Sequence, residues 1–506
     1  MSCCDYISGT FYQTLRASKW FSDLLILMSL ICIGISATVF LPLRTALELG
    51  PDEGYEMMKA LLISQGHALY GSFWNDQPPV YTEILAILFR VFGPSAFVAR
   101  ALNVCCSMVL LWSVYVIMAR EFDRVCGLIT IVYLALSNSF LNLSVAAMLE
   151  LPTMAIGMAS AAAAKTYARN GRQIALCCSG ALFAIALQIK LTSIVLLPGI
   201  ILVIVMSRGR ETFLVFSVKT ELLMRINAAV QWCIACVFVF SVIQLCYFSD
   251  EVLSIYWKSH VGGQIEAEAG EMADNVFRLR SLLRDNPLVL TAGMGIVFAL
   301  IWGTREVMFP SLLLITTIVV HWFHRPYWWY YAIHFSIPLA LLSGYGTWRV
   351  TALLTCDASP RLMVKCMQIM LSLVWSILIC RSVIFSGENT ILDYKKIMSS
   401  RSATSSDEIS FLQAGENRIP WVYTDRVIYA FWALKPVPPE VAVIPWKRIA
   451  SHQITSDDLT RCLERYRPDR ILLLEPSFLT DGAQEYIDHV FNRYDRISGA
   501  YIRRTK

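Results

Sequence analysis

Residues 22–43, Ser-Asp-Leu-Leu-Ile-Leu-Met-Ser-Leu-Ile-Cys-Ile-Gly-Ile-Ser-Ala-Thr-Val-Phe-Leu-Pro-Leu, contain one charged side chain, Asp23, and are otherwise almost wholly apolar or small. About 20 such residues in a helix match the roughly 30 Å hydrocarbon core of a bilayer. Arg16 and Lys19 stand before the run as in a signal anchor. The run is long for a cleaved signal, so it reads as a first membrane span. Comparable runs follow at 96–118, 126–147, 150–164, 173–189, 191–206, 227–248, 288–303, 310–323, 332–348 and 364–385. The sequence therefore predicts a polytopic α-helical membrane protein with about eleven spans, the shorter ones extending into their polar flanks.

Composition agrees with that reading. The chain has 506 residues, 56% hydrophobic and 16% charged, and a mean hydropathy of +0.54. Soluble domains are typically about 45–50% apolar and about 25% charged, so a soluble enzyme is excluded. The formal net charge of +5 is spread through loops. Without a basic stripe, nucleic acid is not a partner, and membrane lipids are. Most of the fifteen cysteines lie in or beside apolar runs, which predicts core-type thiols and not a disulfide framework. Cys233-Ile-Ala-Cys236 has the CxxC spacing but lacks the nearby His or charge that would stabilise a thiolate.

Lys and Arg in the short loops set the orientation. With a cytoplasmic N-terminus, the inner segments carry Arg16 and Lys19, Arg120 and Arg124, Lys165, Arg169 and Arg172, Arg208, Arg210, Lys219 and Arg225, Arg305, then Arg349, Arg361 and Lys365. The short outer turns hold only Lys190 and Arg325, as the positive-inside rule requires. The expected organisation is a cytoplasmic segment 1–21, a membrane domain 22–387 with outer loops 44–95 and 249–287, and an extracytoplasmic α/β domain 388–506. In that tail, Thr455-Ser-Asp457 begins a helix with apolar residues at Leu459, Cys462, Leu463 and Tyr466, and Ile471-Leu-Leu-Leu474 reads as a strand.

The outer face also gathers the ionisable residues. In the first loop, Pro51-Asp52-Glu53 precedes apolar positions 55, 58, 61 and 62, the pattern of an amphipathic helix lying along the membrane surface. Acids in a first helical turn can simply complement its dipole, but these two lie just beyond a membrane exit. Glu150, Lys190, His324 and Arg325 mark the ends of other odd-numbered spans. Charges beside a bilayer are costly away from water, so their collection on one face predicts a polar cavity. His324-Arg-Pro-Tyr-Trp-Trp-Tyr-Tyr331 combines interfacial aromatics with two groups able to hold a phosphate through charge-assisted hydrogen bonds.

Taken in order, Pro51-Asp-Glu53, Gln77-Pro-Pro79, Glu150-Leu-Pro152, Lys190-Leu-Thr192 and the His-Arg-Pro-Tyr-Trp-Trp-Tyr-Tyr turn resemble the GT-C glycosyltransferases. The chain is similar, over residues 20–385, to the bacterial relatives of protein O-mannosyltransferases and of the lipid A aminoarabinose transferase. That resemblance implies a many-helix membrane fold with juxtamembrane helices in the first outer loop. It also implies inverting transfer of a sugar from a polyprenyl-phosphate donor to a lipid, glycan or protein acceptor, at the outer face of the bacterial inner membrane. Asp52 would be the acid that receives or polarises the acceptor hydroxyl, with Glu53 its neighbour or a sugar contact. Lys190, His324 and Arg325 would meet the donor phosphate, and Glu150, Gln77 and Tyr331 the sugar or acceptor. Relatives often carry Lys-Pro-Pro where this chain has Gln77-Pro78-Pro79, so a cation is missing there. No cofactor is required; a divalent ion could sit among Asp52, Glu53 and Glu150, but the sequence does not demand one. A transporter or lipid-linked glycan flippase is the alternative. It predicts ionisable residues in mid-span and broken helices in matched halves, and the spans here are nearly free of charge.

Overall fold

The structure, a computed structural model, describes residues 3–207, 218–247, 286–324, 327–355, 362–414, 420–445, 448–449, 451–474, 494–497 and 500–503. Nearly all of the second outer loop, and Arg325, lie outside the described residues. The first helix, α1, runs Cys3–Phe40. The first outer loop folds into α2 (Glu53–Ser64) and α3 (Val80–Phe92). There follow α4 (Ala96–Glu121), α5 (Arg124–Ala135), α6 (Phe140–Val145), α7 (Glu150–Asn170), α8 (Gln173–Ile189), a 3-10 segment Leu191–Leu196 and α9 (Leu197–Val205). Then come α10 (Val218–Tyr247), α11 (Val289–Trp302), α12 (Met308–Phe323), α13 (Ala332–Thr355) and α14 (Leu362–Met398).

Among the described residues, four stretches are long and apolar enough to cross a membrane unaided: Phe21–Phe40, Ala96–Glu121, Leu222–Tyr247 and Arg305–Phe323. The span expected over 126–147 is interrupted. Ser139 adopts a left-handed conformation (φ 64°) between α5 and α6, and the Ser137 hydroxyl returns to the Leu134 carbonyl at 2.7 Å. Ser and Asn offer the backbone such local bonds in place of helical ones. Lys190 is extended between α8 and the 3-10 segment (φ −156°, ψ 131°), so these two spans join through a tight, non-helical corner. The last span, expected to end at 385, continues to Met398 and passes through the 387/388 boundary drawn from composition.

Within the bundle, α7 packs on α4 and α8, and α13 on α5 and α11. Small residues permit this proximity: a Cβ at Gly295 of α11 would stand 2.2 Å from the Leu342 carbonyl oxygen of α13. The expectation of core-type cysteines holds for Cys126, whereas Cys32, Cys105, Cys177, Cys178, Cys233, Cys246 and Cys380 are exposed on the bundle. Toward lipid an unionised thiol is as acceptable as a small hydrophobe.

The tail carries α15 (Asp407–Gln413), α16 (Val427–Trp432) and α17 (Ser456–Tyr466), the last opened by a Thr455–Asp458 capping box. Its strands β1 (Val422–Thr424), β2 (Arg470–Leu472), β3 (Tyr494–Ile497) and β4 (Ala500–Arg503) form a sheet of order β1-β2-β4-β3. β1 and β2 are parallel, Val422 opposite Arg470, and the other pairings are antiparallel.

The tail shares one hydrophobic core with the first outer loop. Met57, Leu61 and Leu62 of α2 and Phe89 of α3 join Ile428, Phe431, Leu459 and Ile471 in a single buried cluster. Phe89 and Phe431 stack with centroids 5.6 Å apart. Thus α2 has no solvated face: Glu53 through Ile63, except the half-buried Tyr55, are buried. The helix expected to lie open on the membrane surface is roofed by the tail. Gly54 makes the roof possible, since a Cβ there would meet Ile428 at 3.0 Å.

Candidate active site

Where α2 begins, the chain turns away from its own helix end. Asp52 occupies the position before the helix in a helical conformation, and its side chain makes no capping bond. Its carboxylate instead faces a cavity of about 350 Å³, which Tyr330 also lines. Glu150, Lys190, Gln77, His324 and Tyr331 line the same cavity. Five segments distant in sequence therefore bring six of the expected site residues to one place.

Each is held by its own local structure. Glu150 begins α7 and is buried, and Lys190 caps α8. The two form an ion pair through Glu150 Oε1, while Glu150 Oε2 is buried without a partner in the described structure. The Lys190 ammonium also lies 5.4 Å and 5.1 Å from the ring centroids of Tyr330 and Tyr331. His324 Nε2 and the Tyr331 hydroxyl share a hydrogen bond of 3.0 Å. Gln77 donates from Nε2 to Asp76 Oδ2 at 2.9 Å, which fixes its amide orientation and leaves Oε1 buried and unbonded. A flipped amide would set oxygen against carboxylate.

The electrostatics single out Asp52. Burial disfavours its charged form, and the Glu150 carboxylate opposes it further, against the pull of Lys190; its pKa rises to about 6. For Lys190, burial acts to lower the pKa, but the Glu150 carboxylate outweighs it and holds the ammonium charged above its ordinary range. An acid poised to accept a proton near neutrality thus faces a permanently charged cation.

Glu53 does not belong to this group. It is fully buried away from the cavity lining, in a bidentate ion pair with Arg100 at 2.8 Å on both arms. The structure thus does not bring it to the cavity beside Asp52, where the sequence reading expected it. Asp52 and Glu150 line the cavity without Glu53, which is paired with Arg100, so the three acids considered for an ion are not brought together. Among the described residues no three His, Cys, Asp or Glu side chains converge in a way that could hold a metal ion.

The cavity also holds residues that sequence reading passed over: Tyr55, Glu56, Lys59, Asp76, Thr192 and Tyr330. Glu56 and Lys59 pair at 2.7 Å, and Lys59 donates to Asn75 Oδ1 at 2.9 Å. Lys59 thus brings a cation to the cavity that Gln77 also lines. The helical spacing of 52, 56 and 59 was a legible signal for this polar stripe. Val443 and Pro445 of the tail complete the wall, anchored by the Tyr55 hydroxyl donating to the Ile444 carbonyl at 3.0 Å.

A helical bundle with helices folded into its first outer loop and an acid–base cavity beneath them is the arrangement that the sequence resemblance implied. Comparison with known proteins agrees. Residues 76–230 match the family described as dolichyl-phosphate-mannose-protein mannosyltransferase. Among solved structures, ArnT from Cupriavidus metallidurans in the apo state superposes with a TM-score of 0.61 at 13% identity, covering 92% of this chain and 94% of that one. The same protein bound to undecaprenyl phosphate gives 0.58 at 12% identity, covering 89% and 93%. The oligosaccharyltransferase AglB from Archaeoglobus fulgidus, in complex with an inhibitory peptide and a dolichol-phosphate, gives 0.54 at 11% identity, covering 90% and 69%. Comparison with curated proteins gave no match. The GT-C resemblance seen in the sequence is borne out by the family match, and the chain shares the fold of these solved structures.

Proposed function

We propose that this protein transfers a sugar, with inversion, from a polyprenyl-phosphate carrier to a lipid, glycan or protein acceptor at the outer face of a bacterial inner membrane. The observation that carries the reading is the convergence of Asp52, its pKa raised, with the Glu150–Lys190 pair on one cavity. Neighbours of this fold bind undecaprenyl phosphate and dolichol-phosphate, which supports a lipid-linked donor.

In this reading the acceptor hydroxyl gives its proton to Asp52 as its oxygen attacks the anomeric carbon from the face opposite the phosphate. The bond from that carbon to the phosphate oxygen breaks, and its electron pair leaves on polyprenyl phosphate. Lys190 and His324, with Arg325, meet the growing phosphate charge, and Glu150 Oε2, Gln77 Oε1 and Tyr331 hold sugar or acceptor hydroxyls. Two orphaned acceptor atoms suit a ligand rich in O–H donors.

The test supplies short-chain polyprenyl-phosphate sugars to membranes carrying the native chain or Asp52→Asn at matched expression, and follows release of free polyprenyl phosphate. Release that depends on Asp52 supports transfer. Full biological function in Asp52→Asn overturns the catalytic assignment and favours a flippase.

A further inference from the structure

Two residues one turn apart on α4 hold together the segments that carry the site. Arg100 is completely buried, and its five N–H groups have five acceptors. Nε and Nη2 bind the two oxygens of Glu53 at 2.8 Å. Nη1 binds the carbonyls of Leu43 at 2.9 Å and Ala46 at 2.8 Å, and Nη2 reaches that of Leu47 at 3.5 Å. Glu53 in turn accepts the backbone N–H of Leu49 at 2.8 Å and of Ala147 at 3.1 Å. The pair therefore ties the chain on both sides of Asp52 to the turn that leads into Glu150.

Asn103 repeats the device one turn on. Its amide nitrogen donates to the carbonyls of Ala146 and, at 2.9 Å, Met148, and its oxygen accepts the Tyr81 hydroxyl at 2.8 Å. Tyr81 stands four residues after Gln77, so the Gln77 segment hangs from the same helix. None of Arg100, Asn103, Glu53 and Tyr81 lines the cavity.

We infer that Arg100 and Asn103 are positioning residues, which set the spacing of Asp52, Gln77 and Glu150 across the cavity through Glu53 and Tyr81. Arginine is suited to this because its planar fork holds several acceptors at fixed angles, which the single ammonium of lysine cannot reproduce. The consequence for catalysis rests on the transfer reading above; the first test does not.

That test follows Asp52 itself, by the carboxylic-acid infrared band that Asp52→Asn removes, in the purified full-length protein. The groups facing Asp52 are Glu150 of α7, Lys190 at the end of α8, Tyr55 and Glu56 of α2, Glu48 before it, and Tyr330 and Tyr331 before α13. The native midpoint is expected near 6, and in folded Arg100→Lys to fall by about one unit as Asp52 parts from Glu150 and gains water. An unmoved midpoint in folded Arg100→Lys overturns the inference. Should that variant fail to fold, Tyr81→Phe, which removes one hydroxyl, decides in the same way by a smaller shift or none. In the transfer assay, Arg100→Lys is expected to lower kcat about tenfold or more while donor KM stays within about twofold. No release of polyprenyl phosphate by the native protein from any donor would instead overturn the transfer reading and leave the titration result standing.

Discussion

At the scale of single residues, the contrast between Asp52 and Glu53 is the most consequential. The two are adjacent acids, yet one faces a cavity without capping its helix and the other saturates a buried guanidinium. Asp52→Asn is expected to slow sugar transfer by about 10²- to 10⁴-fold, the usual worth of a positioned base. The raised pKa also sets a pH window. Since Asp52 must be ionised to take a proton, the rate is expected to rise with pH through about 6 and then level. The effect on stability has the opposite sign: the ionised form is disfavoured in the fold, so this group's destabilisation is absent below its ordinary value of 3.8 and complete above about 6. A pH–rate profile and thermal unfolding at pH 4 and pH 7, compared with Asp52→Asn, check both. For the neighbour, Glu53→Ala leaves Arg100 charged and buried and is expected to cost about 3–5 kcal/mol, read as loss of folded protein.

At the scale of elements, α2 is the centre of the site. Asp52 just before it and Glu56 in its first turn line the cavity, as does Lys59 in its second, and the helix also packs against the tail helix α16. The approach of α2 to α16 depends on Gly54, where a Cβ would press on Ile428. Gly54→Val is expected to destabilise by about 1–3 kcal/mol through overpacking, and to loosen the tail before the bundle. Limited proteolysis within residues 400–474, faster in the variant at unchanged helix content, would show it. The position of α2 along the chain was readable from its apolar spacing, and so was the placing of Asp52 at its start. That α2 is buried on all sides was not readable, because the covering residues lie beyond position 400 and no local pattern links them to residue 54.

At the scale of the whole molecule, bundle and tail are joined by polar bonds as well as by the shared core. Arg426 pairs with Glu48, the Trp432 indole donates to the Leu47 carbonyl at 2.9 Å, and Trp74 donates to Gln453 at 2.9 Å. Removing residues 401–506 would strip the cover from Met57, Leu61 and Phe89 and open the wall made by Val443 and Pro445. The truncated protein is expected to aggregate in mild detergent, by size-exclusion chromatography, and to lose transfer to every acceptor. A monodisperse truncation with full activity towards the native acceptor would show the tail to be dispensable for both fold and site.

The sequence by itself determined the membrane class, the course of the apolar helices and the common sidedness of Asp52, Glu150, Lys190 and His324. Those are consequences of local hydropathy and of charges that favour water at a bilayer surface, and both are written in runs of neighbouring residues. Tertiary structure alone decided which of the adjacent acids faces the cavity, that Arg100 and Asn103 bind three distant segments, and that the tail roofs α2. Each of these turns on contacts between residues tens to hundreds of positions apart, for which hydrogen-bond direction and close packing, not periodicity, select the partner.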